Sequence, residues 1–412
     1  MSAALVRALR ANEVEAFAQN SHYAFDGRSV SERMADFGRR ITPERNCLVS
    51  VEGSQIVAQV MIYEFQIWID GARYPTGGLA NVATVPERSR RGYAAQLLTE
   101  TVAWMREQLG QCLSTLYPTV DPLYNALGWT LAERVSVYRG PPGSFRPHPS
   151  LPRDPAGRIV RRPATDAEVP VLAAVYEQFS KPRTGYVDRP LWYWEDLILS
   201  SRPSSPEKWV SCWYAADGSL GGYAIYSLIR GNEWILRIHE LIALRPEAYT
   251  ALLSFFASHN LMNRVEFEGG SDVPWPSLVA DSHLLDIQAS TRQRFMLRVV
   301  DLAAAIERRV TARPLDCQVT LRIHDPVAPW NDGDWLITGF PVDESTHWSC
   351  RRVTGRETQI ETDAAGIATI FCGYLSVRQA IEVGLLRVEP AAIPTIEALF
   401  GLPFPAHSLD HF

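Results

Sequence analysis

No apolar run in this 412-residue chain approaches the roughly 20 residues that span a bilayer. Neither a membrane-spanning segment nor a membrane partner is therefore expected. The first residues hold no apolar h-region and no small-residue cleavage site, so no signal peptide is expected and a cytoplasmic location follows by default. Positive charge is not in excess: 40 Lys and Arg stand against 46 Asp and Glu, a formal net charge of −6. That argues against a nucleic-acid partner and is compatible with a small cationic one. Cysteine is sparse and scattered. Cys47, Cys112, Cys212, Cys317, Cys350 and Cys372 form no CxxC pair and have no His at ligand spacing. Neither a disulfide framework nor a metal site is expected, and buried free thiols are the default.

What is present describes a folded, soluble protein, with 46% hydrophobic and 21% charged residues. A chain of 412 residues is too long for one ordinary core, so two or three domains are expected.

The first region reads as α/β. Asn12-Glu13-Val14-Glu15 suggests a helix start. Leu48–Val51, a turn at Glu52-Gly53, Ile56–Ile69 and the hairpin signal Asp70-Gly71 suggest a meander. Leu79–Val85 reads as a strand stopped by Pro86. A helix then starts near Gly92, with Leu98, Val102, Met105 and Leu109 on one stripe. Leu113–Tyr117 and Thr130–Tyr138 read as two strands that bracket a short helix at Tyr124–Leu127. Gly140–Gly157 is rich in Pro, Gly and Ser and reads as a linker.

A second box, Thr165-Asp166-Ala167-Glu168, opens another α/β region. Its strands lie near Trp209–Tyr214, Tyr223–Ile229, Trp234–Leu244 and Arg264–Glu268, with a helix at Pro246–Ser258. The order echoes the first region. No glycine lies between Leu244 and Pro246, so a degenerate copy without cofactor is expected. From about Asp301 the pattern turns α+β: strands at Val319–Ile323, Trp335–Gly339 and Ile367–Phe371, helices at Ser376–Val383 and Ala391–Phe400. The expected division is 1–145, a linker at 146–160, 161–300 and 301–412.

Two segments carry chemistry. In Val82-Ala83-Thr84-Val85-Pro86-Glu87-Arg88-Ser89-Arg90-Arg91-Gly92-Tyr93-Ala94 a strand enters a basic turn and a helix begins. Unpaired N–H groups at a helix start attract phosphate. Gly92 lets the backbone approach closely, Ala94 is small, and Arg90 and Arg91 add charge. The plainer reading is a solvated basic turn. In Leu123-Tyr124-Asn125-Ala126-Leu127-Gly128-Trp129, an arbitrary tyrosine would be a packing residue.

Together these segments resemble the Eis ("enhanced intracellular survival") acetyltransferases, a multidomain branch of the GNAT superfamily. The phrases Ile323-His324-Asp325-Pro326 and Pro329-Trp330-Asn331-Asp332-Gly333 resemble the sterol-carrier-protein-like domain that ends those proteins. The implied fold is α/β (α+β): two tandem GNAT-like domains, the second degenerate, then a sterol-carrier-protein-like domain. The implied co-substrate is acetyl-CoA, with its pantetheine arm paired to Val82, Ala83 and Thr84. Its pyrophosphate would meet Arg90, Arg91, Gly92, Tyr93, Ala94 and Ala95, with further contacts at Thr119 and Val120. Ser89 departs from the family's Arg or Gln, and Val120 from a commonly polar residue.

The resemblance makes Tyr124 the general acid and the α-carboxylate of Phe412 the base. Such a carboxylate titrates near ~3.5 when unperturbed and would be ionised. Phe25, Asp26 and Trp194 are candidates for the acceptor pocket, with core packing the alternative for the tryptophan. His239-Glu240 receives no catalytic role. The expected activity is N-acetylation of a small cationic amine, aminoglycoside- or lysine-like, in a ternary complex. A homohexamer is implied by the resemblance alone. The alternatives are a non-catalytic ligand- or lipid-binding protein, and an enzyme using another acyl-CoA.

Overall fold

The hairpin signal Asp70-Gly71 sits where two long strands turn back on each other. Both residues take the left-handed backbone that such a turn needs, at φ +47° and +86°. The computed structural model describes residues 5–25, 29–200, 206–290 and 295–410.

The first half contains β1 (Leu5–Ala8), β2 (Cys47–Glu52), β3 (Gln55–Ile69), β4 (Ala72–Thr84), β5 (Leu113–Leu116), β6 (Thr130–Leu131) and β7 (Val135–Gly140). The helix Tyr93–Glu107 crosses between β4 and β5. Its stripe of Leu98, Val102 and Met105 is wholly buried, as the spacing predicts.

The second half adds β8 (Arg158–Pro163), β9 (Thr184–Val187), β10 (Lys208–Tyr214), β11 (Leu220–Arg230), β12 (Trp234–Ala243), β13 (Arg264–Gly270), β14 (Asp286–Ala289) and β15 (Met296–Val299). The helix Pro246–Ala257 lies between β12 and β13. The third part holds β16 (Val310–Ala312), β17 (Cys317–His324), β18 (Gly333–Val342), β19 (Ser345–Arg352), β20 (Ile360–Asp363) and β21 (Leu386–Val388). Ile367–Phe371, expected as a strand, falls in the helix Ala364–Phe371, whose N-cap is the Asp363 carboxylate.

The strands do not sort by chain order. The first sheet runs β1-β2-β3-β4-β5-β15-β6, with β9 paired to β3. The second runs β14-β7-β13-β12-β11-β10-β8. Each of these sheets therefore borrows strands from the other half of the chain. β15 lies antiparallel to β5 and β6, and β7 lies antiparallel to β13 and β14. The run Thr130–Tyr138, expected as one strand, is broken at Ala132–Arg134 and feeds both sheets. The expected linker is partly structured: Pro142–Phe145 form a 3-10 turn whose Phe145 is buried.

The third sheet runs β16-β19-β18-β17-β20-β21. Its core is continuous with that of the first sheet. The Trp330 indole donates to the Val300 carbonyl just past β15 at 2.7 Å, and the Asn331 side chain donates to the same carbonyl at 3.1 Å. No cysteine is in a disulfide, and five of the six are buried.

Candidate active site

β4 keeps both neighbours for only part of its length. Thr76–Leu79 pair in parallel with Leu113–Leu116, where β5 ends. Beyond that point β4 pairs with β3 alone, Ala80 with Met61, Ala83 with Gln59 and Thr84 with Ala58. A register shift between Gln59 and Met61 marks a bulge, and Asn81 takes φ +50° within it. Bulges bend a strand away from its neighbour. Among the described residues, Val82, Ala83 and Thr84 have no strand partner on the β5 side. Their main-chain groups form an edge that an extended ligand with strand-spaced amides can join.

The chain then makes a 3-10 turn at Pro86–Arg88 and enters the helix Tyr93–Glu107. Arg90 and Gly92 are both left-handed, at φ +59° and +85°. Such turns aim successive N–H groups at one point, and the first N–H groups of the helix have no internal partner. A Cβ on Gly92 would meet nothing within 4 Å. The backbone angle by itself therefore requires glycine here, and the space beyond it is open to a ligand. Arg90 and Arg91 are exposed at this turn, and Ala94 and Ala95 are half-buried in the first turn of the helix. The Tyr93 hydroxyl donates to the Glu52 carboxylate at the end of β2. Arg88 Nε donates to the same carboxylate at 2.8 Å. Those two hydrogen bonds, Tyr93's first, hold the Glu52 carboxyl below its ordinary range. Glu52 and Arg88 thus tie the basic turn to the sheet, a link with no local signal in the sequence.

Tyr124 lies in the short helix Asp121–Asn125. Its carbonyl accepts the N–H groups of Leu127 at 3.0 Å and Trp129 at 3.1 Å, which closes the turn. Gly128, at φ +85°, leaves the space through which Arg298 of β15 passes; a Cβ there would fall 1.8 Å from Nη1. Arg298 donates to the Leu127 carbonyl and pairs with both Asp325 oxygens at 2.7 and 2.8 Å. Asp325 comes from the third part of the chain, so all three parts meet behind this turn. The Tyr124 ring is buried, edge-on to Trp129 with centroids 6.4 Å apart. Among the described residues its hydroxyl has no hydrogen-bond partner. Burial pushes the phenol up to about 12. Thr119 and Val120, just before this helix, are exposed.

Phe412 and Asp26 lie outside the described residues. Phe25 follows the helix Val14–Ala24 and is exposed. Trp194 is enclosed in the core of the second sheet. Its ring meets Tyr176 edge-on at 5.5 Å and the Arg189 guanidinium at 4.7 Å. Its neighbour Trp192 stacks instead on Tyr63 of β3 at 5.8 Å. A cavity of about 740 Å³ is lined by Glu240 of β12, Phe267 and Glu268 of β13, and the tail residues His407, Ser408 and Leu409. Glu268 is half-buried there and has no hydrogen bond or ion pair among the described residues. No local pattern marks Glu268, Arg189 or Arg298 in the sequence. Their partners come from distant elements.

Two models of the family described as "Acetyltransferase (GNAT) domain" match residues 5–132 and 185–299, and the "Sterol carrier protein domain" model matches 302–406. The chain is an Eis-like GNAT acetyltransferase. It is 25% identical over 411 residues to an uncharacterized N-acetyltransferase of Streptomyces avermitilis, covering 96% of each chain. It is 24% identical over 265 residues to N-acetyltransferase Eis of Mycobacterium tuberculosis, covering 62% of this chain and 63% of the relative. The crystal structure of Eis1 from Mycobacterium abscessus superposes with a TM-score of 0.77 at 21% identity, covering 99% of this chain and 100% of that one, and shares the fold.

The GNAT fold implies acetyl-CoA as co-substrate and a small-molecule acceptor. The parted β4 edge and the left-handed turn before the helix fit the donor: one offers strand hydrogen bonds, the other N–H groups and two arginines. Among the described residues of this Eis-like chain, no helix is long and apolar enough to cross a membrane.

Proposed function

We propose that this enzyme transfers an acetyl group from acetyl-CoA to an amine of a small cationic acceptor, by direct attack within a ternary complex. The observation that carries this reading is Tyr124, its ring buried and its hydroxyl without a hydrogen-bond partner among the described residues, on the short helix that follows β5 at the open end of the β4 notch. In this proposal Val82, Ala83 and Thr84 hold the pantetheine arm. Arg90, Arg91, Gly92, Tyr93, Ala94 and Ala95 hold the pyrophosphate, and Thr119 and Val120 flank the thioester end.

Acetyl-CoA supplies the activated acyl carbon. The acceptor ammonium first gives up one proton through water, and its freed nitrogen then bonds to that carbon as the carbon–sulfur bond breaks. Tyr124 gives its phenolic proton to the departing thiolate, and the nitrogen's surplus proton passes to the carboxylate of Phe412. The phenol then recovers a proton from solvent. Glu268, a carboxylate with no ion pair among the described residues, faces the 740 Å³ cavity that Arg139, Lys208 and Arg237 also line, and could meet a cationic group of the acceptor. Phe25 and Asp26 remain part of the acceptor proposal, as does the hexamer, which light scattering tests directly.

The deciding experiment mixes the enzyme with acetyl-CoA and a panel of polyamines, aminoglycosides and lysine derivatives, and follows free thiol. Amine-dependent thiol release is expected, suppressed when residues are added after Phe412. Release that ignores the amine would overturn the acceptor class. Turnover that survives the added residues would remove Phe412 as base.

A further inference from the structure

The stretch from His407 to Asp410 is held from both acetyltransferase sheets. The His407 N–H donates to the Thr184 carbonyl at 3.0 Å. Its Nδ1 lies 2.8 Å from the Glu133 carboxylate, which also accepts the Ser408 N–H at 3.0 Å. Two glycines clear the path. A Cβ on Gly185 would fall 2.7 Å from the His407 carbonyl oxygen, and one on Gly270 would fall 2.2 Å from the His407 ring.

At Asp410 the hold becomes ionic. One carboxylate oxygen accepts from Arg189 Nε at 2.6 Å. The other accepts from the Tyr176 hydroxyl at 3.0 Å and the Val187 N–H at 3.1 Å. Arg189 turns its remaining nitrogens to Glu240 at 3.2 and 2.6 Å, and the Tyr223 hydroxyl donates to that same carboxylate. The Arg189 and Asp410 side chains are fully buried. On the opposite side the Tyr117 hydroxyl donates to the Asp410 main-chain carbonyl. Tyr117 is the residue after β5, at the mouth of the notch.

A buried ion network is a poor device for stability alone, because apolar residues of the same shape serve as well or better. What it provides is a fixed position: a planar guanidinium accepts carboxylates in only a few geometries. Here Asp410 is pinned by its carboxylate to the second region and by its carbonyl to the first sheet. Phe412 follows Asp410 by two positions in the sequence.

We propose that Asp410 and Arg189 are positioning residues of acetyl transfer, with Tyr117 as their link to the catalytic sheet. The degenerate second domain would thus serve the reaction as the anchor of the tail. This rests on the reading of Phe412 as the carrier of the base.

The test uses the full chain with Asp410→Asn, which keeps shape and removes charge. Should that variant fail to fold, Tyr117→Phe removes only the hydroxyl, which meets the Asp410 carbonyl and the Ser408 side chain. Three quantities are read: kcat against KM for acetyl-CoA, hydrogen exchange of a peptide spanning 403–410, and rescue by added formate. We expect kcat to fall on the order of 10–100-fold, as a misplaced group does, with KM for acetyl-CoA unchanged. Exchange should quicken, and formate should restore part of the rate, which it would not do for a merely weakened fold.

Unchanged exchange, at either normal or lowered kcat, would overturn the anchor. Faster exchange with normal kcat would overturn the positioning role. Adding residues after Phe412 separates the two readings, because it tests the base and leaves Asp410 alone. If that addition abolishes turnover while Asp410→Asn does not, the anchor fails and the base stands. If turnover survives the addition, the base fails first.

Discussion

Arg298 and Asp325 meet at 2.7 and 2.8 Å inside the protein, one from the last strand to join the catalytic sheet, the other from the sterol-carrier-like domain. Burial pulls the Arg298 guanidinium below its ordinary pKa, against the upward pull of Asp325. The same guanidinium donates to the Leu127 carbonyl, three residues beyond Tyr124. The third domain therefore braces the turn that carries Tyr124.

Removing one partner leaves a charge buried and unpaired. Asp325→Ala is expected to lower stability by about 3–5 kcal/mol, read from denaturant midpoints. The double variant Arg298→Met, Asp325→Leu should cost less than either single change, because no bare charge remains. A single variant as stable as the wild type would show that the pair is dispensable.

Gly92 gives a graded series. Its φ of +85° is costly for any side chain, and the space beyond it is open. Gly92→Val should therefore lose coenzyme A binding through backbone strain on the order of 1–3 kcal/mol. Gly92→Asn should keep more binding than Gly92→Ala, because asparagine tolerates left-handed backbone. Calorimetry that ranks the three by size instead would point to crowding.

Tyr124→Phe should lower kcat by a factor on the order of 10²–10⁴ and leave the melting temperature nearly unchanged. Among the described residues, no hydrogen bond is lost with the hydroxyl. Burial holds the phenol at about 12, so the acid stays protonated below that pH. The wild-type rate should show no alkaline limb from this group between about pH 7 and 10. An alkaline limb in that range that vanishes in the Phe variant would contradict the assignment.

His407 carries a pH-dependent share of the tail's hold. Burial alone would lower the imidazole; the Glu133 hydrogen bond, with the charges of Glu133, Asp272 and Glu268, outweighs it and raises it. A folded pKa above the unfolded value of ~6.5 gives stability that is fully present below that pH. It is lost as pH rises through the folded value. Thermal scans from acidic to alkaline pH should show this decline in the wild type and a flatter curve in His407→Gln.

Local patterns fixed much of the fold. The Asp70-Gly71 hairpin, the stripe on the helix after Gly92 and the strand before Pro86 each depend on neighbours a few residues apart. The helix starts were harder. Thr165 makes no side-chain cap, and the Glu168 carboxylate that would complete the box is held instead by Arg162 at 3.1 Å. Capping boxes do form at Ser29 with Glu32 and at Ser376 with Gln379. Within the site, Val82–Thr84 and Tyr124 were marked by the family resemblance, and the structure sets them on the open edge of β4 and on the short helix after β5. The Arg189–Asp410 pair was not legible, since its members stand 221 positions apart and nothing nearby marks either one. Nor does anything in Thr130–Tyr138 announce that its halves belong to different sheets.

That exchange of strands changes what a unit of inheritance is in this protein. A recombination point in the segment between β7 and β8 would separate the chain's halves and not its sheets. The first product would carry the first sheet lacking β9 and β15 beside an orphaned β7. The second would carry the reverse. Two copies of a fold laid end to end can ordinarily drift or be replaced one at a time. Here they must change together, which makes the tandem a single evolutionary object despite its repeated plan.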